Sequence, residues 1–371
     1  MDYGLNEEQE MLKKIARDFL TAECPKSLAR EMAKDDRGYT PELWHKMAEL
    51  GWIGLAFPEK YGGGGGSFLD LTVLLEEMGR ACLPGPFFST VVLGGMTILE
   101  AGNEVQKQEL LPKIGEGNLI VTLALTEPGG GYNADKITME AIASGDNYII
   151  SGIKLFVFNA HIADYIICVS KTKDGTTLFL VEGKSPGINH TLLKTIAGDK
   201  QCEVAFDKVS VPKQNVLGEV GKGQIQLQEV LCKAAVAKCA EMVGGAQQTL
   251  EMTVDYVKQR IQFGQPIGAF QAVQHHCANM VTYIDTSRFL SYKAAWMLSE
   301  GLPCGKEVAM AKAWASDAYR QVTLLGHQCI GGVALVEDHD LPLYSKRAKA
   351  AEVAFGDAEF HREVVAQELG L

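Results

Sequence analysis

The chain has 371 residues, 47% of them hydrophobic and 22% charged, an ordinary globular composition with length enough for two or three domains. Its formal net charge of -11 argues against nonspecific nucleic-acid binding, and no run approaches the roughly 18 uninterrupted apolar residues of a membrane span. The opening MDYGLNEEQEMLKK is acidic and polar where a signal peptide is basic and then apolar, which predicts a cytoplasmic protein, and nine scattered cysteines without a C-x-x-C predict reduced thiols rather than disulfides or a zinc site.

From Asn6 to Thr21 the apolar positions Met11, Leu12, Ile15, Ala16, Phe19 and Leu20 repeat at helical spacing, and Asn6 with Gln9 forms a capping-box start. Thr40-Pro41 starts a second helix through Leu43, Trp44, Met47 and Leu50, which stops at Gly51. The run PEKYGGGGGS, residues 58–67, lacks the Lys-Ser/Thr of a phosphate-binding loop, so it is expected to be a flexible surface turn. Helices resume from Leu69 to Ala81 and continue to about residue 118, with Pro84, Gly85, Pro86 and Gly102 as breaks.

At Leu119 the period changes to β-branched alternation. LIVTLAL, KITMEAIA, NYIISGIKLFVF, DYIICVS, TTLFLVE and CEVAFDKVSVP follow one another with turn signals between them, the pattern of a small barrel or sandwich. From Gln224 onward the helical period returns, predicting four or five long helices in a bundle. The expected architecture is therefore α+β and multidomain: a helical domain over residues 1–118, a β-domain over 119–223 and a helical bundle over 224–371.

The stretch from Tyr256 to Met280 concentrates the chemistry. Met252, Tyr256 and Val257 share a helix face, Phe263-Gly264 and Pro266-Ile267-Gly268 interrupt it, and Phe270, Val273, Gln274, Cys277 and Met280 resume it. Arg260 and Phe263 are thus expected to project from a helix end and a loop. A planar cation beside an aromatic ring, framed by glycines, suits a ligand carrying phosphate and a flat ring, although an Arg on an ordinary helix corner reads the same way.

Several stretches together resemble the acyl-CoA dehydrogenases, over essentially the whole chain and in the family's order. They are PEKYGG at 58–63, LTEPGGG at 125–131, GIKLFVFNA at 152–160, RIQFGQPIGAFQAVQ at 260–274, QCIGG at 328–332 and DLPLYSKRAKAAEVAFGDAEFHRE at 340–363. The resemblance implies FAD held between the β-domain and a C-terminal four-helix bundle, an acyl-CoA substrate, an electron-transfer flavoprotein as electron acceptor, and a homotetramer or heterotetramer in which a neighbour completes each flavin site. It implies that Arg260, Gln262, Phe263, Ile267 and Phe270 contact the FAD adenine and phosphates, with Gln328, Gly331 and Gly332 approaching from the neighbour. Leu123, Leu125, Thr126 and the strand carrying Phe156 and Phe158 would line the isoalloxazine, with Gly131, Tyr132 and Asp357 also on the cofactor side. An Arg clamp, an aromatic wall and glycines that admit backbone amides are what a flat ring on a pyrophosphate requires.

The chain departs from the family at the base. Proton removal next to the thioester needs a carboxylate held within reach of the acidified C–H. The family's usual glutamate position falls on Phe355, and its alternative position falls near Lys233, Ala234 and Ala235. Glu241 and Asp357 are the nearest replacement candidates, the first reading more readily as a helix–helix hydrogen bonder and the second, by the resemblance, as facing the cofactor more than the substrate. The hydroxyls of Ser89, Thr90 and Tyr132 are too weakly basic to act unaided. His327 and the pair His275-His276 read as helix-surface or flavin-adjacent groups rather than metal ligands, since adjacent residues on a helix point about 100° apart. Tyr132 and Asn133 stand where the family often has Ser and Asp, and Phe156 and Phe158 stand in its Trp-x-Thr. Three readings follow: oxidation of an unusual or cyclic acyl-CoA to an enoyl-CoA or diene, a base-lacking subunit of a heterotetramer, and a relative with altered chemistry such as decarboxylation.

Overall fold

The computed structural model describes residues 4–131 and 136–371. In chain order the helices are α1 Glu7–Glu23, α2 Lys26–Lys34, α3 Pro41–Glu49, α4 Phe68–Ala81, α5 Met96–Ala101, α6 Glu104–Gly115, α7 Gly223–Gln259, α8 Gln271–Ser299, α9 Gly305–Ile330, α10 Leu341–Val353 and α11 Ala358–Glu368. The strands of the middle region are β1 Val121–Ala124, β2 Ala141–Ser144, β3 Asn147–Phe158, β4 Tyr165–Thr172, β5 Gly175–Glu182, β6 Ile188–Leu193, β7 Gln201–Pro212 and β8 Val216–Leu217. This is the three-part order read from the sequence: N-terminal helices, a β-sheet domain and a C-terminal helical bundle. Contacts gather the chain into two compact units, one of residues 1–29, 68–83 and 235–371, the other of residues 30–67 and 84–234.

The first unit is helical apart from a short two-stranded ribbon within residues 261–266. Its first helix starts on the expected capping box, with the Asn6 side chain accepting from Gln9 N and the Gln9 side chain accepting from Asn6 N. Two glycines let helices touch backbone to backbone, and a third admits a tyrosine side chain. A Cβ at Gly79 would lie 2.1 Å from Glu241 O, one at Gly244 would lie 1.7 Å from Glu76 O, and one at Gly245 would lie 2.2 Å from the Tyr319 hydroxyl. At the same contact Glu76, fully buried, accepts from Lys13 Nζ at 3.0 Å, Arg288 Nε at 3.2 Å and the Tyr292 hydroxyl at 2.7 Å. Burial pushes this carboxyl up, but the two cations and the phenol outweigh it and hold it below the usual carboxylate range. Helices α7, α8 and α9 are long; α10 and α11 are shorter.

The second unit carries two four-stranded sheets, ordered β1-β4-β5-β8 and β2-β3-β7-β6. The β1–β4 pair is parallel and the other pairs are antiparallel. Strand β6, INHTLL, was not foreseen in the sequence: it is a mostly exposed edge strand, so no buried face imprints an apolar alternation on it. A fully buried π-helical stretch, Phe88–Gly95, packs on this unit through its glycines, since a Cβ at Gly94 would lie 2.6 Å from Val121 Cβ and one at Gly95 would lie 2.4 Å from Phe57 Cζ. The glycine run is a correction to the expected flexible turn. The amides of Gly63, Gly64, Gly65 and Gly66 donate to the carbonyls of Pro58, Gly54, Phe57 and Leu55, and a Cβ at Gly63 would lie 2.1 Å from Phe57 O. Those glycines exist to let two backbone segments meet, and their amides are spent on the protein itself.

All nine cysteines are free thiols. Among the described residues no helix is long and apolar enough to cross a membrane.

Candidate active site

In the second unit the TEP segment leaves β1 and is fixed by a buried ion pair. Glu127 accepts from Lys154 Nζ at 2.7 Å, from Thr138 N at 2.8 Å and Met139 N at 3.1 Å, and from the Thr138 hydroxyl. Lys154, fully buried, also donates to Leu125 O at 3.1 Å, and Leu155 N donates to Thr126 O at 2.8 Å. Burial pushes the Glu127 carboxyl up, while the bonds from Lys154 and Thr138 hold it below its ordinary value. The ion pair therefore sets where Leu125 and Thr126 sit. Both are half-buried, Leu123 is buried, and Gly131 is exposed. Tyr132 and Asn133 lie outside the described residues.

Strand β3 shifts register against β7 between Lys154 and Val157, and Phe156 occupies that irregularity with φ +55 and 54% of its surface exposed. Val157 points into the core, while the half-buried Phe158 ring lies 6.4 Å from that of Phe88. Both aromatic rings of the Phe-Val-Phe segment thus avoid the buried face taken by Val157. Nearby, the Ser89 hydroxyl donates to Asn159 Oδ1 at 3.1 Å, and the buried Thr90 hydroxyl has no partner among the described residues.

In the first unit, Arg260 follows the last turn of α7. Ile261–Gln262 and Gln265–Pro266 pair as a two-rung antiparallel ribbon, with Phe263 and Gly264 at its tip, both left-handed at φ +53 and +80. Phe263 is 92% exposed and meets Phe270 edge-on, ring centres 6.0 Å apart. Ile267 N donates to Arg260 O at 2.8 Å, closing the loop. This brings Arg260, Gln262, Phe263, Ile267 and Phe270 into one projecting ribbon and turn, while the Arg260 side chain is exposed without a partner among the described residues. At the end of α9, Gln328 is exposed, and a Cβ at Gly331 or Gly332 would meet nothing within 4 Å.

The C-terminal loop carries Phe355, which the resemblance sets at the expected base position. Phe355 is left-handed at φ +57 and its carbonyl accepts from His361 Nε2 at 2.9 Å. Lys312, fully buried on α9, donates to Gly356 O at 2.7 Å, Glu352 O at 3.1 Å and Ser316 Oγ at 3.0 Å. Burial pushes the Lys312 ammonium down to about 8 and the His361 imidazole down to about 4. His361 is thus neutral near pH 7, with its proton on Nε2 and its buried Nδ1 unpartnered among the described residues. Lys312 and His361 were missed in the sequence, although the signal was there for the first: Val308, Lys312, Ala315, Tyr319 and Val322 form one heptad-like stripe, which places a lysine on the core face.

The two replacement carboxylates are already engaged. Asp357 caps α11, accepting from Phe360 N at 2.9 Å, and Glu241 forms an ion pair with Lys238. Lys233 pairs with Glu100 in the second unit, and Ala234 and Ala235 are buried. His327 Nε2 lies 2.7 Å from Ser345 Oγ, His275 is exposed, and among the described residues no group of three or more potential ligands is placed to hold a metal.

Three family profiles match in succession: the acyl-CoA dehydrogenase N-terminal domain over residues 6–118, the middle domain over 122–209 and the C-terminal domain over 221–370. The chain belongs to the acyl-CoA dehydrogenase family. It is accordingly an FAD-dependent oxidoreductase acting on the CH–CH bond of an acyl-CoA thioester. Among similar proteins, acryloyl-CoA reductase (NADH) of Anaerotignum propionicum is 33% identical, the match covering 100% of this chain and 96% of that protein. The 3-(aryl)acrylate reductase of Clostridium sporogenes is 32% identical over 98% of each. Among solved structures, a chain from one described as the electron transferring flavoprotein of Acidaminococcus fermentans superposes with a TM-score of 0.92 at 32% identity, covering 100% and 99% of the two chains.

Proposed function

We propose that this member of the family acts on the Cα–Cβ bond of a CoA thioester bearing a cyclic or aromatic acyl group, and that its electrons pass to an electron-transfer flavoprotein. The observation that carries the acyl class is Phe156, whose ring is held half exposed on a bulge by a left-handed backbone where a β-strand would otherwise have turned it inward or outward at no cost. Ring faces pack on ring faces, so an aromatic wall favours a flat or cyclic acyl group over a flexible chain. The likeness to a 3-(aryl)acrylate reductase supports the acyl class, and the likeness to the electron-transferring flavoprotein structure supports the acceptor.

The residues present fit FAD. Arg260 offers an exposed guanidinium with no partner among the described residues, and the backbone at Gly331 and Gly332 is bare toward open space. In this reading Arg260, Gln262, Phe263, Ile267 and Phe270 hold the adenine and phosphates, and Gln328, Gly331 and Gly332 serve the flavin of a neighbouring copy in a tetramer. Leu123, Leu125, Thr126, Phe156 and Phe158 line the ring system, Phe156 at the edge it shares with the acyl group, on a segment that Glu127 and Lys154 fix in place. FAD, when bound, accepts the hydride of such an oxidation.

A second reading, the base-lacking subunit of a heterotetramer, is favoured by the C-terminal loop. A phenyl ring at 355 cannot accept a proton, Asp357 is spent on a helix cap and Glu241 on Lys238. One experiment separates the two. The singly expressed, purified protein is titrated anaerobically with straight-chain, branched and cyclic acyl-CoAs while the oxidised flavin band is followed. Bleaching by cyclic thioesters alone supports the first reading. Bound flavin that no thioester bleaches, or flavin retained only beside a second polypeptide, supports the second.

A further inference from the structure

A bulky residue in the left-handed region costs about 1–2 kcal/mol and persists only where its surroundings leave no alternative. At Phe355 those surroundings are unusual in kind, because two side chains reach its loop through main-chain oxygens. His361 Nε2 reaches Phe355 O, and Lys312 Nζ reaches Gly356 O and, at the end of α10, Glu352 O. Gly356, at φ +96, is needed for this: a Cβ there would lie 2.6 Å from both His361 Nε2 and Phe360 Cδ1. Asp357 then caps the helix that carries His361, so the loop is tied at both ends. A lysine with no exposed surface and, among the described residues, no carboxylate within its bonds is a costly device, and an apolar residue of similar volume would fill the same space at less expense. What the ammonium does that a methionine cannot is grip carbonyls.

We propose that Lys312 and His361 are positioning residues that clamp the main chain at 355–356 and hold residue 355 in its left-handed conformation whatever side chain stands there. The inference rests on the reading above only in taking residue 355 as the position that faces the acyl group. The clamp makes 355 an exchangeable position: a phenyl ring that walls the acyl group and a carboxylate that takes a proton are presented along the same direction by the same backbone.

The test is a set of crystal structures of the flavin-loaded full chain, with binding of cyclohexanecarbonyl-CoA read from the flavin spectrum. In Phe355→Glu and Phe355→Leu, φ at 355 is expected to stay within about 20° of its present value. In Lys312→Met and His361→Leu it is expected to leave the left-handed region, with thioester binding weakened about tenfold or more. His361→Gln, whose carboxamide nitrogen takes the place of the imidazole donor, restores both. A Phe355→Glu or Phe355→Leu structure in which the loop moves, or Lys312→Met and His361→Leu structures in which it does not, overturns the clamp. If Lys312→Met fails to fold, the His361→Leu and His361→Gln pair decides. Failure of the wild-type protein to bind the thioester counts against the proposed acyl class and leaves the φ comparison standing.

Discussion

Lys154 Nζ sits 2.7 Å from Glu127 Oε1, and the same carboxylate collects two backbone amides and a hydroxyl from Thr138 and Met139. A buried charge whose partner is removed loses far more than the pair contributes, so Lys154→Met is expected to cost about 3–5 kcal/mol, and the double variant with Glu127→Gln less than the sum of the singles. The pH dependence has a definite sign. The folded-state pKa of Glu127 is depressed, so its contribution is fully present above the unfolded value near 4.5 and is lost as pH falls through the folded one. Thermal unfolding of the wild type and Glu127→Gln between pH 3 and 7 reads this as a steeper acid loss in the wild type.

Arg260 makes no contact that the fold would miss, since its side chain is exposed and unpartnered among the described residues. Arg260→Ala is therefore expected to leave unfolding within about 0.5 kcal/mol of the wild type while lowering the flavin-to-protein ratio after dialysis. A variant that keeps full flavin occupancy would count against the placement of the FAD phosphates.

The glycine run gives a test of packing rather than of ligand binding. Because a Cβ at Gly63 would lie 2.1 Å from Phe57 O, a backbone atom that cannot swing away, Gly63→Ala is expected to destabilise by about 1–3 kcal/mol. Chemical denaturation with an unchanged m-value checks it; a neutral outcome would mean the 54–57 segment yields.

The order helical, β, helical was legible in the sequence because burial of one face writes a period into each element. Ala16 and Leu20 in α1 and Val204 and Phe206 in β7 follow that rule, as does the capping box at Asn6. What escaped reading were contacts between distant segments. Five glycines in a row look alike whether they are flexible or pressed against a neighbouring backbone, and only the Phe57 and Pro58 carbonyls distinguish the two. Lys154 and Lys312 both stand on core-facing positions by periodicity, at alternate residues of β3 with Ile150 and along the α9 stripe with Val308 and Tyr319. A charged residue on an apolar stripe is the one local sign of a buried polar device, and its partner, lying far away in sequence, is not written beside it.

His361 adds a second pH-dependent contribution. Its folded pKa, about 4 against an ordinary 6.5, means the unfolded chain takes up a proton that the fold refuses between those values. Stability therefore falls as pH drops from 6.5 toward 4, by about 3 kcal/mol from this residue. His361→Gln is expected to flatten that segment of the stability profile, measured by denaturant titration at intervals from pH 4 to 7, and an unchanged slope would show that the imidazole is not shielded.

Phe355 offers the most direct test of the proposal that the chain lacks its own base. Its backbone is left-handed and its neighbours are held through carbonyls, so Phe355→Glu exchanges a ring for a carboxylate with the loop intact. A positioned general base contributes on the order of 10²–10⁴ in rate. If the missing proton acceptor is what limits the lone chain, Phe355→Glu is expected to accelerate anaerobic flavin bleaching by an acyl-CoA by at least about tenfold, with the gain disappearing as pH falls through the pKa of the new carboxyl. Phe355→Gln supplies the same shape without the basicity and is expected to give no acceleration. A gain in Phe355→Gln equal to that in Phe355→Glu would assign the effect to room made in the pocket, and no gain in either would mean that the acidified carbon lies out of reach of residue 355.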